Sequence, residues 1–150
     1  MPIKKENPWS VFDTAFTMGV DDRFHKIMVS APVLFANAPD VETILTFFLI
    51  RRANKTFSIV SIVKTYEKGN EKVISRNALT KDNIPEERIE LESKGIQSMF
   101  TQSIEEGSGV KLQWNVLDLS GDTEMTEQVK KIQEFGHVAA FVDDGKVSPN

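Results

Sequence analysis

Apolar positions recur along this chain at several spacings, and each spacing predicts an element. Trp9, Val11, Phe12, Ala15, Phe16 and Met18 follow Asn7 and Pro8 and precede Gly19. An Asn cap, a Pro at the first helical position and a Gly stop predict a helix over 7–19. Asp21 and Asp22 predict the start of a second short helix, with acids at its positive end and Phe24, Ile27 and Met28 three to four residues apart. Pro32 ends it. Val33, Leu34 and Phe35 then run into a turn cluster at Asn37, Ala38, Pro39 and Asp40.

The apolar run at 44–50 suits either a buried helix or a buried strand. Its shortness and aromatic content favour strand, and Ala53, Asn54 and Lys55 supply a turn. Residues 56–66 are β-branched and partly alternating, and Lys68, Gly69 and Asn70 make a second turn into 72–76. Residues 44–79 are therefore expected to form a three-stranded antiparallel meander.

Residues 81–84 read as a loop, and from there a capping-box spacing, Asn83 to Glu86, and a strand-like alternation at 88–92 favour different elements. Ile96, Met99, Phe100 and Ile104 share one helical face that ends at Gly107, Ser108 and Gly109. Val110, Leu112, Trp114 and Val116 alternate with polar residues and predict a strand. A turn at 120–123 leads to a helix with Met125, Val129, Ile132 and Phe135, closed by Gly136, and 138–142 reads as a last strand. Strand, helix and strand in succession predict a βαβ unit with parallel strands. The expectation is a single α+β domain over 1–150: N-terminal helices, the antiparallel meander, a helix, then a βαβ unit, in one mixed sheet.

This order of helix, three-strand meander, helix and strand resembles that of the restriction-endonuclease-like nucleases. That family places a Pro-Asp pair and then Glu-x-Lys on successive meander strands. Here the middle strand has no Asp, and the third reads Glu71, Lys72, Val73, Ile74. The resemblance is one of topology, implies a non-catalytic member and carries over no site residue.

At 150 residues the chain has the size of one domain with its own core. It has no cysteine, which excludes disulfides, thiolate zinc sites and a cysteine nucleophile, and fits a reducing compartment. No apolar stretch approaches the ~20 residues of a membrane span, and no apolar segment follows the basic N-terminus as in a secretory signal. A soluble, cytoplasmic protein is expected.

The net charge of −4 hides a segregation. Arg51, Arg52, Lys55, Lys64, Lys68, Lys72, Arg76 and Lys81 share their stretch with only Glu67 and Glu71, whereas the rest of the chain has ten bases and twenty acids. A basic meander on an acidic body predicts an anionic partner. Few aromatics are interleaved with these bases, and the acidic body repels phosphate backbones, so nucleic acid is disfavoured against a protein partner or self-association. Internal neutralisation by the acidic segment 82–92 and protection of strand edges explain the same charges without a partner.

Trp9, Phe12 and Phe16 form one aromatic face of the first predicted helix, a candidate second contact surface. Asp118, with Ser120, Asp122 and Thr123 behind it, follows a strand and precedes a helix, where two carboxylates could hold magnesium for hydrolysis or phosphoryl transfer. Helix capping and turn chemistry explain these residues as well. His25 and His137 lack a metal-site spacing, and nucleotide loops and a nucleophile elbow are absent. No cofactor is expected. The leading expectation is a non-enzymatic interaction or assembly subunit using Arg51, Arg52, Lys55, Lys64, Lys68, Lys72 and Arg76. A metal-assisted hydrolase at Asp118 and Asp122 and a small nucleic-acid binder are the alternatives.

Overall fold

In the computed structural model, residues 18–70 and 72–139 are described. The helix expected over 7–19, with Trp9, Phe12 and Phe16, lies almost wholly outside them. The strands are β1 (Arg23–Ser30), β2 (Val33–Phe35), β3 (Ala38–Arg51), β4 (Phe57–Glu67), β5 (Lys72–Ile84) and β6 (Trp114–Asp118). The helices are α1 (Ile89–Ser108) and α2 (Met125–Ala139), and a 3-10 turn at Glu86–Arg88 leads into α1. The sheet order is β5-β4-β3-β1-β6, with β2 paired to β3.

Every pairing in this sheet is antiparallel. That overturns the expected mixed sheet and βαβ unit. β6 pairs with β1, Met28 opposite Val116, and α2 continues through Ala139 instead of giving way to a strand at 138. A helix interior tolerates a glycine at a cost of about 1 kcal/mol, so Gly136 does not stop it. Residues 140–142 lie outside the described residues.

The second N-terminal helix is also overturned: residues 23–30 are a strand. The physical cause is a β-bulge. The β1–β3 register slips between Phe24 and Lys26, and a bulge inserts one residue and breaks the period-2 alternation. Phe24, Ile27 and Val29 therefore pack in one core cluster and Met28 in the other. A strand with one phase slip shows the i, i+3 spacing of a helix.

The meander runs through β3, β4 and β5, with Phe47 opposite Ser61 and Lys64 opposite Ser75. The loop expected at 81–84 is instead the end of β5, held by pairing of Lys81 with Ile59 and Ile84 with Phe57. Residues 44–50 are all buried because both faces of the sheet are covered. Ile44, Phe48 and Ile50 join Phe24, Ile27, Val60, Ile62 and Ile132 of α2 on one side. Phe47 and Leu49 join Ile59, Ile84, and Ile89 and Ile96 of α1 on the other. This double burial explains why 44–50 shows no amphipathic period.

α1 starts earlier than its apolar face predicts, since Ile89 is already buried. It ends at Gly109, whose φ of 73° is the left-handed conformation that glycine adopts without strain. β6 is shorter than the alternation from Val110 predicts, since only Trp114–Asp118 meets a partner strand.

Candidate anion-binding site

At one end of the sheet the start of β1, the end of β3 and the loop before α2 meet. The antiparallel register sets Arg23 directly opposite Arg51. Cross-strand neighbours have Cβ atoms roughly 4.5–5.5 Å apart, and like charges in that position destabilise a sheet. Arg52 and Lys55 follow in the β3–β4 hairpin loop.

Two of these cations are held rigidly. Arg23 donates from Nε to the Thr123 carbonyl at 2.6 Å, and from Nη1 to the Val20 and Asp22 carbonyls, both at 2.7 Å. These bonds fix the guanidinium without neutralising it. Arg52 is neutralised: its Nη1 pairs with Asp22 Oδ2 at 2.9 Å, and its Nε donates to Ser58 Oγ at 2.9 Å. Asp22 is the joint of this end, because its carboxylate also accepts the N–H groups of Gly19 at 2.6 Å and Ala53 at 3.1 Å. Burial pushes its carboxyl up, but the Gly19 N–H, the Arg52 guanidinium and the Ala53 N–H outweigh that and hold it below the usual aspartate range.

The hairpin loop positions Lys55. The Lys55 N–H donates to the Arg52 carbonyl at 2.9 Å, the Arg52 N–H donates to the Thr56 carbonyl at 2.8 Å, and Asn54 Oδ1 accepts from Thr56 N and Oγ1. Such a three-residue loop needs a left-handed third residue, here Lys55 with φ 69°. For a residue with a Cβ that conformation costs roughly 1–2 kcal/mol.

Asp21, Arg23, Arg51, Arg52, Ala53, Lys55 and Thr123 line a cavity of about 310 Å³. Among the described residues, neither Arg51 nor Lys55 has an ion pair or hydrogen-bond partner for its side chain. Both are exposed.

The remaining bases of the strip lie outside this cavity. Lys64 is only 3% exposed and sits within β4. Lys68 pairs with Glu42 at 3.2 Å, and Lys81 pairs with Glu92 at 2.5 Å. Lys72 and Arg76 are exposed on β5, an outer strand of the sheet. β4 has eleven residues, and at about 3.4 Å per residue roughly 34 Å separates its two turns. Arg51, Arg52 and Lys55 are thus at one end, and Lys68 and Lys72 at the other. Sequence reasoning missed Arg23, which no local pattern marks, and placed Thr123 only in the turn behind Asp118; the β1–β3 register and the return of the chain before α2 bring both to the Arg51 end.

Asp118 lies opposite Lys26 at the end of β6, and its Oδ1 accepts from the Ser120 hydroxyl at 2.6 Å and N–H at 2.9 Å. Those two bonds hold its carboxyl below the ordinary range against burial, and Lys26 and His25 add to the effect. Asp122 pairs with Lys131 of α2 at 2.6 Å. The bulge turns His25 towards α1, where its Nε2 is 3.6 Å from Glu90 and its ring meets Phe57 edge-on at 5.0 Å. Among the described residues no three His, Asp or Glu side chains come together as a metal site. No helix among them is long and apolar enough to cross a membrane.

No family model matches this chain, and neither does any curated protein or solved structure.

Proposed function

We propose that the protein is a non-enzymatic interaction module that receives an anionic feature of a protein partner at its Arg51 end. The observation that carries this reading is the Arg23–Arg51 cross-strand pair, flanked by Lys55, with Arg51 and Lys55 unpaired among the described residues. Arg23 is compensated by its three carbonyl bonds, but Arg51 meets the repulsion with no such partner among the described residues, and an incoming anion relieves it. The carboxylates weighed as a hydrolytic centre are engaged by neighbours, Asp118 by Ser120 and Asp122 by Lys131.

Charge reversal tests it. Proteins that co-purify with the wild-type chain are compared with those retained by Arg51→Glu/Lys55→Glu and by Lys72→Glu/Arg76→Glu, alongside absolute mass by light scattering at low and high salt. Loss of a partner, or of a salt-sensitive oligomer, in the first variant alone is the expected result. Equal retention by both variants would refute the reading.

A further inference from the structure

The cavity at the Arg51 end also constrains the anion. Arg23, Arg51, Arg52 and Lys55 stand there against Asp21 on the rim and Asp22 beneath Arg52, a surplus of two positive charges. With Arg52 paired to Asp22, the three cations Arg23, Arg51 and Lys55 stand against Asp21 alone, and a single carboxylate would leave one positive charge of the surplus unanswered. From this, and resting on the reading of this end as the contact surface, we infer that the cavity takes a dianionic phosphoryl group.

Four features fit that ligand. Arg51 and Lys55 side chains are unpaired among the described residues and exposed, so both can close on an oxyanion. Arg23 spends Nε and Nη1 on three carbonyls, which leaves its Nη2 hydrogens as fixed donors. Arg52 is locked by Asp22 and Ser58, so it orders the wall without needing to move. The cavity of about 310 Å³ is at the small end of ligand sites, with room for a phosphoryl group and several waters at about 30 Å³ each. Arginine and lysine together are the usual donors to such a group, the one by its planar fork and the other as a point charge.

The phosphoryl group can belong to a phosphorylated side chain of the partner or to free phosphate. The test uses the whole chain and four probes at constant ionic strength: inorganic phosphate, acetate, a phosphoserine peptide and the same peptide with glutamate. Binding is followed by amide chemical shifts of residues 51–56 and by calorimetry. Phosphate is expected to shift those amides more than acetate does. The affinity of the phosphoserine peptide should rise as pH passes about 6, where its phosphoryl group becomes dianionic. Arg51→Gln or Lys55→Gln should weaken it by about tenfold, the loss of one charge-assisted contact, while Lys72→Gln/Arg76→Gln leaves it unchanged. Tighter binding of the phosphopeptide than of phosphate assigns the group to a partner, and the reverse order assigns it to free phosphate; both support the inference. Equal response to phosphate and acetate, or an unchanged Kd in Arg51→Gln, overturns it. In that case, partner loss in Arg51→Glu/Lys55→Glu would still support the broader reading, with a carboxylate as the anion; retention would end both.

Discussion

Replacing Gln128 with methionine should destabilise this protein as severely as a large core truncation. Gln128 lies on α2, fully buried. Its Oε1 accepts the Phe24 N–H at 3.0 Å, and its Nε2 donates to the Phe24 carbonyl at 2.8 Å and the Asp122 carbonyl at 2.7 Å. β6 ends at Asp118, opposite Lys26, so the backbone of Phe24 extends beyond its last strand neighbour on that side. The side-chain amide takes the place of the missing strand. Methionine has nearly the same length and volume, so packing is conserved while the polar partners are lost. Each buried group left unsatisfied costs about 1–3 kcal/mol. Counting both Phe24 groups in full and the part-buried Asp122 carbonyl at less gives about 3–5 kcal/mol, a large share of the roughly 5–15 kcal/mol that holds a domain folded. In urea, with a slope of about 2 kcal/mol per molar, the midpoint should fall by about 1.5–2.5 M. Hydrogen exchange at the Phe24 amide should accelerate as well. A loss under about 1 kcal/mol for Gln128→Met, with Phe24 still protected, would show that the amide is not the partner of that backbone.

Two further outcomes follow from the Arg51 end. Because the Asp22 carboxyl lies below its ordinary value in the folded protein, its stabilising contribution is complete above about pH 4 and is lost as pH falls through the folded value. Asp22→Asn should cost about 2–3 kcal/mol at pH 7, for the charge-assisted bonds to Arg52 and two N–H groups. The gap to wild type should narrow below pH 4 in urea titrations; a gap constant from pH 7 to about pH 3 would contradict the assignment. Lys55→Gly relieves a left-handed lysine and should stabilise the fold by about 0.5–1 kcal/mol, since relief of roughly 1–2 kcal/mol is partly offset by greater freedom in the unfolded chain. The same substitution should weaken phosphate binding. A lower urea midpoint would show that the lysine side chain stabilises the loop in some other way.

Much of this fold is legible in local pattern. The β-branched run at 57–63 and the turn residues Asn54, Gly69 and Asn70 mark the meander, and Gly109 marks the end of α1. Pattern fails where a feature depends on a partner distant in the chain. The bulge at His25 disguises β1 as a helix, and the continuation of α2 past Gly136 displaces an expected strand. The basic strip was visible as composition, and Arg51, Arg52 and Lys55 within it do line one cavity. Lys64, Lys68, Lys72 and Arg76 do not join them, because each hairpin sends the next turn to the opposite end of the sheet.

Local sequence determined most of the extended and helical segments and the turns of the meander, since spacing and turn chemistry act over a few residues, but not β1, whose bulge mimics a helical spacing, nor the length of α2. It also determined the surplus of positive charge in the middle of the chain. Strand order, register and the meeting of Arg23, Arg51, Lys55 and Thr123 were decided only by tertiary structure. Those contacts join residues a hundred positions apart, as the Arg23 to Thr123 bond does, and they form because both faces of one antiparallel sheet must be buried together.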